Sequence, residues 1–204
     1  MIYHQNMTTI ILAAGLSSRM GCNKMLLSYK NRPLISHVIE KASLLSDKVI
    51  VVLGNERDAI EEAISRYRCQ IAFNKDFRKG QMSSIRCGLE VSDDDFAFVP
   101  GDLPLLQESD FESVFRALSS SECARPMYNT IPGHPIAYRK KYRERILAFP
   151  GNMKEFNKTV QLSYIKGSIG TVFDIDTADR YDSLLRSEAD LSILDRSIDR
   201  MSNR

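Results

Sequence analysis

The stretch from Thr8 to Lys24 constrains this chain more than any other. Thr8-Thr-Ile-Ile-Leu-Ala13 is uncharged and β-favouring without alternation. That pattern belongs to a strand buried on both faces of a parallel sheet. The character ends at Gly15, and a loop with two glycines, two serines and two cations, Arg19 and Lys24, follows. Gly15 and Gly21 permit backbone paths and close approaches that a Cβ opposes. Backbone N–H groups in such a loop can cradle an anion while the cations neutralise it. A nucleoside triphosphate has that chemistry. The loop has neither the Gly-Lys-Ser/Thr spacing of a P-loop nor the Gly-x-Gly-x-x-Gly of a dinucleotide fold.

Downstream, strand-like and helix-like segments alternate. Helices are expected over Pro33–Leu45, with Leu34, Val38, Ala42 and Leu45 on one face, and over Glu56–Tyr67. They are expected again over Ser83–Glu90 (N-capped by a serine), Glu108–Leu118, Lys140–Phe149 and from Asp176 to Arg186. Strands are expected at Lys48–Leu53, Cys69–Asn74 and Phe96–Pro100. Shorter ones follow at Cys123–Tyr128, Pro135–Tyr138, Val160–Ile165 and Thr171–Ile175. The alternation implies parallel pairing through right-handed crossovers, an α/β/α sandwich on a mostly parallel, Rossmann-like sheet. In the doubly wound order 3-2-1-4 the winding reverses between the first and fourth strands, and ligands bind off their carboxyl ends. The Gly15 loop and Asp102, which follows the fourth strand, then face one crevice.

Asp102 is a candidate Mg²⁺ ligand, since Mg²⁺ takes hard oxygen donors together with substrate phosphates. Asp174 and Asp176, at i and i+2 of an extended segment, point the same way and could join it. Asp176 could equally cap the helix that starts at Thr177. Asn74 and the Gly80–Leu89 stretch form a second loop entering a helix, where Ser83 and Ser84 offer hydroxyls. Gly133-His134-Pro135 is a turn whose histidine is more ordinarily a packing residue than an acid–base group.

Leu12-Ala-Ala-Gly-Leu-Ser-Ser-Arg-Met-Gly21 with Asn23-Lys24-Met-Leu-Leu27 closely resembles the signature of MobA-like nucleotidyltransferases, most of all the molybdenum-cofactor cytidylyltransferase branch. Pro100-Gly-Asp-Leu-Pro104, Phe173-Asp-Ile-Asp-Thr177 and the Gly-x-x-x-Ser-x-x-x-Gly-Leu stretch from Gly80 match further family elements. The resemblance implies a glycosyltransferase-A-like fold. It implies nucleotide contacts from Leu12, Ala13, Ala14, Gly15, Ser17, Ser18, Arg19, Lys24, Asn74 and Ser84. Arg19, Lys24 and Asp102 would be catalytic, Asp102, Asp176 and Asp174 would hold Mg²⁺, and His134 would lie on the acceptor side. Ala14 stands where guanylyl-transferring relatives have Leu-Ala-Gly-Gly, which points to CTP over GTP. Ala178-Asp179-Arg180 departs from the usual Pro-Glu-Asp, beyond the two carboxylates that matter. Pro150-Gly-Asn-Met-Lys-Glu-Phe156 departs from the usual Gly-Asp-x-Gly-Ala/Ser, so it bears on the acceptor, expected to be molybdopterin. A sugar or choline phosphate, or a non-catalytic role beside a molybdoenzyme client, are the alternatives.

The 204 residues suit one domain, taken as 1–186 with a helical extension at 187–204. In that extension Leu184, Leu191 and Ile198 recur every seven residues with Leu194 between, an apolar stripe expected to pack on its own domain. Lys and Arg total 28 against 26 acids, a formal charge of +2, which argues against nucleic-acid or membrane partners. The four cysteines show no Cys-x-x-Cys pair, so free thiols are expected rather than a zinc site. Met1–Asn6 is short and polar, so no signal peptide and a cytoplasmic location are expected.

Overall fold

The computed structural model describes residues 6–17, 20–187 and 194. The chain runs through β1 (Met7–Ala13), a small hairpin of β2 (Ser28–Tyr29) and β3 (Arg32–Pro33), α1 (Leu34–Leu45), β4 (Lys48–Leu53), α2 (Arg57–Ile64) and β5 (Gln70–Phe73). It continues through α3 (Gln81–Glu90), β6 (Asp95–Pro100), α4 (Glu108–Ala117), β7 (Cys123–Tyr128), β8 (Ile131–Pro132) and β9 (Ile136–Tyr138). It closes with α5 (Arg143–Ala148), α6 (Met153–Asn157), β10 (Ser163–Lys166) and α7 (Ala178–Arg186).

Every residue of β1 is buried, as its uncharged run requires of a central strand. It pairs in parallel with β4 on one side and β6 on the other. The sheet order is β10-β7-β9-β6-β1-β4-β5, with β8 on β7. The first four expected strands therefore stand in the order 3-2-1-4. Beyond β6 the sheet turns antiparallel at β9, and β10 runs parallel to β7.

Two layers of helices cover it. Ile35, Val38 and Ile39 of α1, Ile60 and Ile64 of α2, and Phe111, Val114 and Phe115 of α4 bury against one face. Ile85 and Leu89 of α3, Ile146 of α5, and Met153 and Phe156 of α6 bury against the other. Each such side chain contributes about 1.5–3 kcal/mol by leaving water. Gly88 lets α3 lie directly on β1, because a Cβ there would sit 2.4 Å from Ile10 Cγ2. A third cluster joins Tyr29, Leu34, Phe173, Ile175, Leu184 and Leu194. Leu184 and Leu194 of the expected stripe thus pack into this domain, while Leu191 and Ile198 lie outside the described residues.

Several local expectations are corrected. Residues 171–175 are not a strand: a 3-10 turn over Ile169–Thr171 is followed by irregular backbone outside the sheet. The helix expected over Lys140–Phe149 opens as a 3-10 turn, Lys140–Tyr142. No serine caps α3. Gly80, at φ +95°, precedes it, and Ser83 instead donates back to the Gly80 carbonyl (2.8 Å). The segment 150–156 holds the unexpected α6, whose Asn152 and Glu155 form a reciprocal capping box. Among the described residues no helix is long and apolar enough to cross a membrane, and all four cysteines are free.

Candidate active site

The carboxyl ends of β1 and β6 open on a cleft of about 450 Å³. Leu12, Ala14, Gly15, Lys24, Ser84, Asp102, Asp174 and Asp176 all line it. Gly101 N donates to the Leu12 carbonyl (3.0 Å), which ties the two strand ends together. The phosphate-type loop and the carboxylate expected at the switch point do face each other.

Lys24 begins a 3-10 turn capped by Asn23, whose side chain accepts from Met25 N (3.1 Å). Gly21 has φ +69°, as the loop reading requires. Gly15 does not: its φ is not left-handed, and a Cβ would meet nothing within 4 Å. Ser17, at φ +50°, accepts from Lys24 N (3.3 Å), which fixes the loop's return. Ser18 and Arg19 lie outside the described residues.

The Lys24 ammonium donates to Asp102 Oδ2 and to Asp176 Oδ1, the latter at 2.6 Å. Asp102 is only 4% exposed, and its Oδ1 is buried without a hydrogen-bond partner. Burial pushes its carboxyl above the usual range against the pull of Lys24. Burial lowers Lys24, but Asp102 and Asp176 outweigh it and hold the ammonium above its ordinary value. Asp174, half-buried, is likewise pushed up by burial against the Arg180 guanidinium that donates to it. Asp102, Asp174 and Asp176 each bring a carboxylate oxygen within 4.8 Å of the others. The cap of α7 is Thr177, whose hydroxyl accepts from Arg180 N (3.4 Å), so Asp176 is released from the capping alternative. Arg180 is not beyond the carboxylates that matter, as expected, but beside one of them.

Two anchors fix this acidic wall. Ile175 N donates to the Asp102 carbonyl (3.0 Å), setting the two acidic segments in register. Asp110 of α4 accepts from Ser168 N (2.9 Å), Ser168 Oγ (2.7 Å) and Gln107 N (2.9 Å), holding the loop that leads to Asp174.

Other sequence candidates stand back. Ala13 is buried toward α1 and α4. Asn74 is buried behind the cleft, and its Nδ2 donates to Ser83 Oγ (2.8 Å) and Ser84 Oγ (3.0 Å). His134 is outside the cleft. Burial and the Arg125 guanidinium push its imidazole down to about 4, against a hydrogen bond to the Phe98 backbone. It is therefore neutral near pH 7. Phe77, Arg78 and Gln81 do line the cleft and were missed. Arg78 beside Gly80 repeats the cation-by-glycine signal read at the first loop.

The profile of the family described as MobA-like NTP transferase domain matches residues 9–162. Molybdenum cofactor cytidylyltransferase of Escherichia coli K12 is 29% identical over 184 residues, covering 84% of this chain and 92% of that protein. Among solved structures, Rv0371c of Mycobacterium tuberculosis H37Rv in complex with manganese superposes with a TM-score of 0.75 at 21% identity, covering 89% of this chain and 98% of that one. A 4-diphosphocytidyl-2C-methyl-D-erythritol synthase from Anaerococcus prevotii gives 0.73 at 16% identity, covering 90% and 96%. The fold is thus the glycosyltransferase-A-like one.

Proposed function

Because this chain belongs to the MobA-like NTP transferase family and is a nucleotidyltransferase, we propose that it transfers CMP from CTP to the terminal phosphate of a small acceptor, molybdopterin or the molybdenum cofactor, and releases pyrophosphate. The observation that carries this reading is the meeting of Lys24, Asp102 and Asp176 across one cleft. The likeness to the E. coli cytidylyltransferase, extending over most of both chains, supports the donor and acceptor.

The reaction is an in-line displacement at the α-phosphorus. The acceptor phosphate is already ionised, so no protein base is needed, and positioning with charge neutralisation lowers the barrier. Lys24, Arg19 and the loop amides after Gly15 receive the β- and γ-phosphates. Open space beside Gly15 lets a phosphate approach that backbone. Ser84, held by Asn74, faces the nucleoside side of the cleft together with Gln81 and the Ala14 methyl.

The acidic wall fits a divalent cation. Its donors are hard carboxylate oxygens, and Asp102 Oδ1 is buried without a partner. Asp102 and Asp176, with Asp174 beside them, would hold Mg²⁺. When bound there, Mg²⁺ supplies charge neutralisation for the triphosphate. The solved manganese complex of the mycobacterial fold relative supports a divalent ion of this size.

The test is pyrophosphate release from CTP, GTP, ATP and UTP, each with and without molybdopterin and Mg²⁺. The expected result is release with CTP and molybdopterin only, and only with the metal. Release driven by a sugar phosphate but not by molybdopterin would replace the acceptor.

A further inference from the structure

Arg180 occupies a place that helix stability does not explain. It sits in the first turn of α7, where the macrodipole disfavours a cation. It is 6% exposed, and its Nε has no partner among the described residues. Burying a charge is costly unless it is paired. Its partner is Asp174, and its guanidinium lies 4.7 Å from the centroid of the Phe173 ring. The three acids of the wall are thus divided. Lys24 bridges Asp102 and Asp176, and Arg180 takes Asp174.

The division has an electrostatic consequence. With Arg180 cancelling Asp174, the wall presents the charge of two carboxylates, which matches one divalent cation. Lys24 donates to those same two carboxylates, so its ammonium and the metal would share them, while the buried guanidinium has Asp174 to itself. We propose that Arg180 is a positioning residue that keeps Asp174 as its own counter-ion, so that a divalent cation is held by Asp102 and Asp176 and stays weakly bound until triphosphate oxygens complete its shell. The inference rests on the metal reading given above and adds which acids serve it.

The experiment is nucleotide-free Mn²⁺ binding to the full chain, read as free Mn²⁺ by electron paramagnetic resonance. In Arg180→Gln, Asp174 is released and a positive charge is removed, so Mn²⁺ should bind roughly tenfold more tightly than to the wild type. Asp174→Asn added to Arg180→Gln restores the wild-type charge and should return the affinity to within about twofold. If Arg180→Gln does not fold by near-ultraviolet dichroism, Arg180→Met, which keeps the packing on Phe173, carries the same expectation. Arg180→Lys keeps the charge and should hold the weak wild-type affinity. Unchanged or weaker Mn²⁺ binding in the folded Arg180 variant, or a gain that survives the added Asp174→Asn, overturns the proposal. A wild-type chain that takes up no Mn²⁺ even with CTP overturns the metal reading and this one together. Wild-type uptake without the gain overturns this one alone.

Discussion

The Lys24 ammonium lies 2.6 Å from Asp176 Oδ1, across 152 positions of chain. Sheet topology makes that meeting. Lys24 follows the central strand, Asp176 lies just before α7, and both stand beside Asp102. One cation therefore reports on both acids, and substitutions at any of the three are coupled.

Asp102→Asn should cut pyrophosphate release by roughly a hundredfold or more, the usual scale for losing a key electrostatic group. Thermal stability should change little at pH 7. Burial raises the folded pKa of this acid, so its favourable contribution exists below the unfolded value and is lost as pH rises through the folded one. Asn keeps the shape, and Lys24 keeps its bond to Asp176. Calorimetry with a coupled pyrophosphate assay checks both, and near-normal Mg²⁺-dependent turnover would sink the assignment.

Lys24→Ala should weaken CTP binding more than CMP binding. A charge-assisted contact to phosphate is worth about 1.5–3 kcal/mol, so a loss of tenfold or more is expected at about 1.4 kcal/mol per decade. Arg19→Ala should follow the same pattern. Titration calorimetry with both nucleotides decides it, and equal losses for CMP and CTP mean these cations do not serve the β- and γ-phosphates.

Ala14→Gly should relax the preference for CTP over GTP. Ala14 lines the cleft and is only 4% exposed. Its methyl is set against Gly54, where an added Cβ would come 2.9 Å from it. Removing it opens room for a purine. Competition between the two triphosphates, in wild type and variant, measures this, and a wild-type preference for GTP would contradict it.

His134 should make stability fall with acid. Its folded pKa of about 4 lies below the unfolded value of 6.5, so the contribution is full above pH 6.5 and is lost as pH falls through 4. The loss amounts to at most about 3 kcal/mol. Urea unfolding at pH 7 and pH 4.5 should show a larger drop for the wild type than for His134→Gln. An equal drop in both proteins would show that the histidine is not held neutral.

Asp110→Ala should lower stability by roughly 3 kcal/mol, since one carboxylate accepts three hydrogen bonds. For a chain of this size that is a shift of about 10 °C in the unfolding midpoint. Turnover should fall as well, because the loop it ties carries the acidic wall. An unchanged midpoint would show the tether to be dispensable.

Most of the sheet was legible because buried parallel strands leave unbroken apolar runs, as in Thr8–Ala13 and Lys48–Leu53. Asp102 and Lys24 were legible because topology, not contact, brings them together. The errors share a cause. Phe173 and Ile175 alternate with acids as a half-buried strand does, yet 171–175 joins no ladder; its Ile175 N–H goes to the Asp102 carbonyl instead. No helix was expected over 150–156, where the segment is too short to show a helical period, and only the Asn152–Glu155 exchange of bonds marks a helix start there. Arg180 was passed over because a helix start separates it from Asp174, and no periodicity links residues across that bend.

The segment from Phe173 to Asp176 also carries a safeguard on its own register. Phe173 and Ile175 are fully buried in the third cluster, while Asp174 and Asp176 face the cleft. A slip of one position would thrust both apolar side chains into the cleft and drive two carboxylates into hydrocarbon. The greasy residues therefore act as the detent that clicks the acids into place. A trimmed side chain at Phe173 or Ile175, both buried away from solvent, is a defect in aim rather than in reagents.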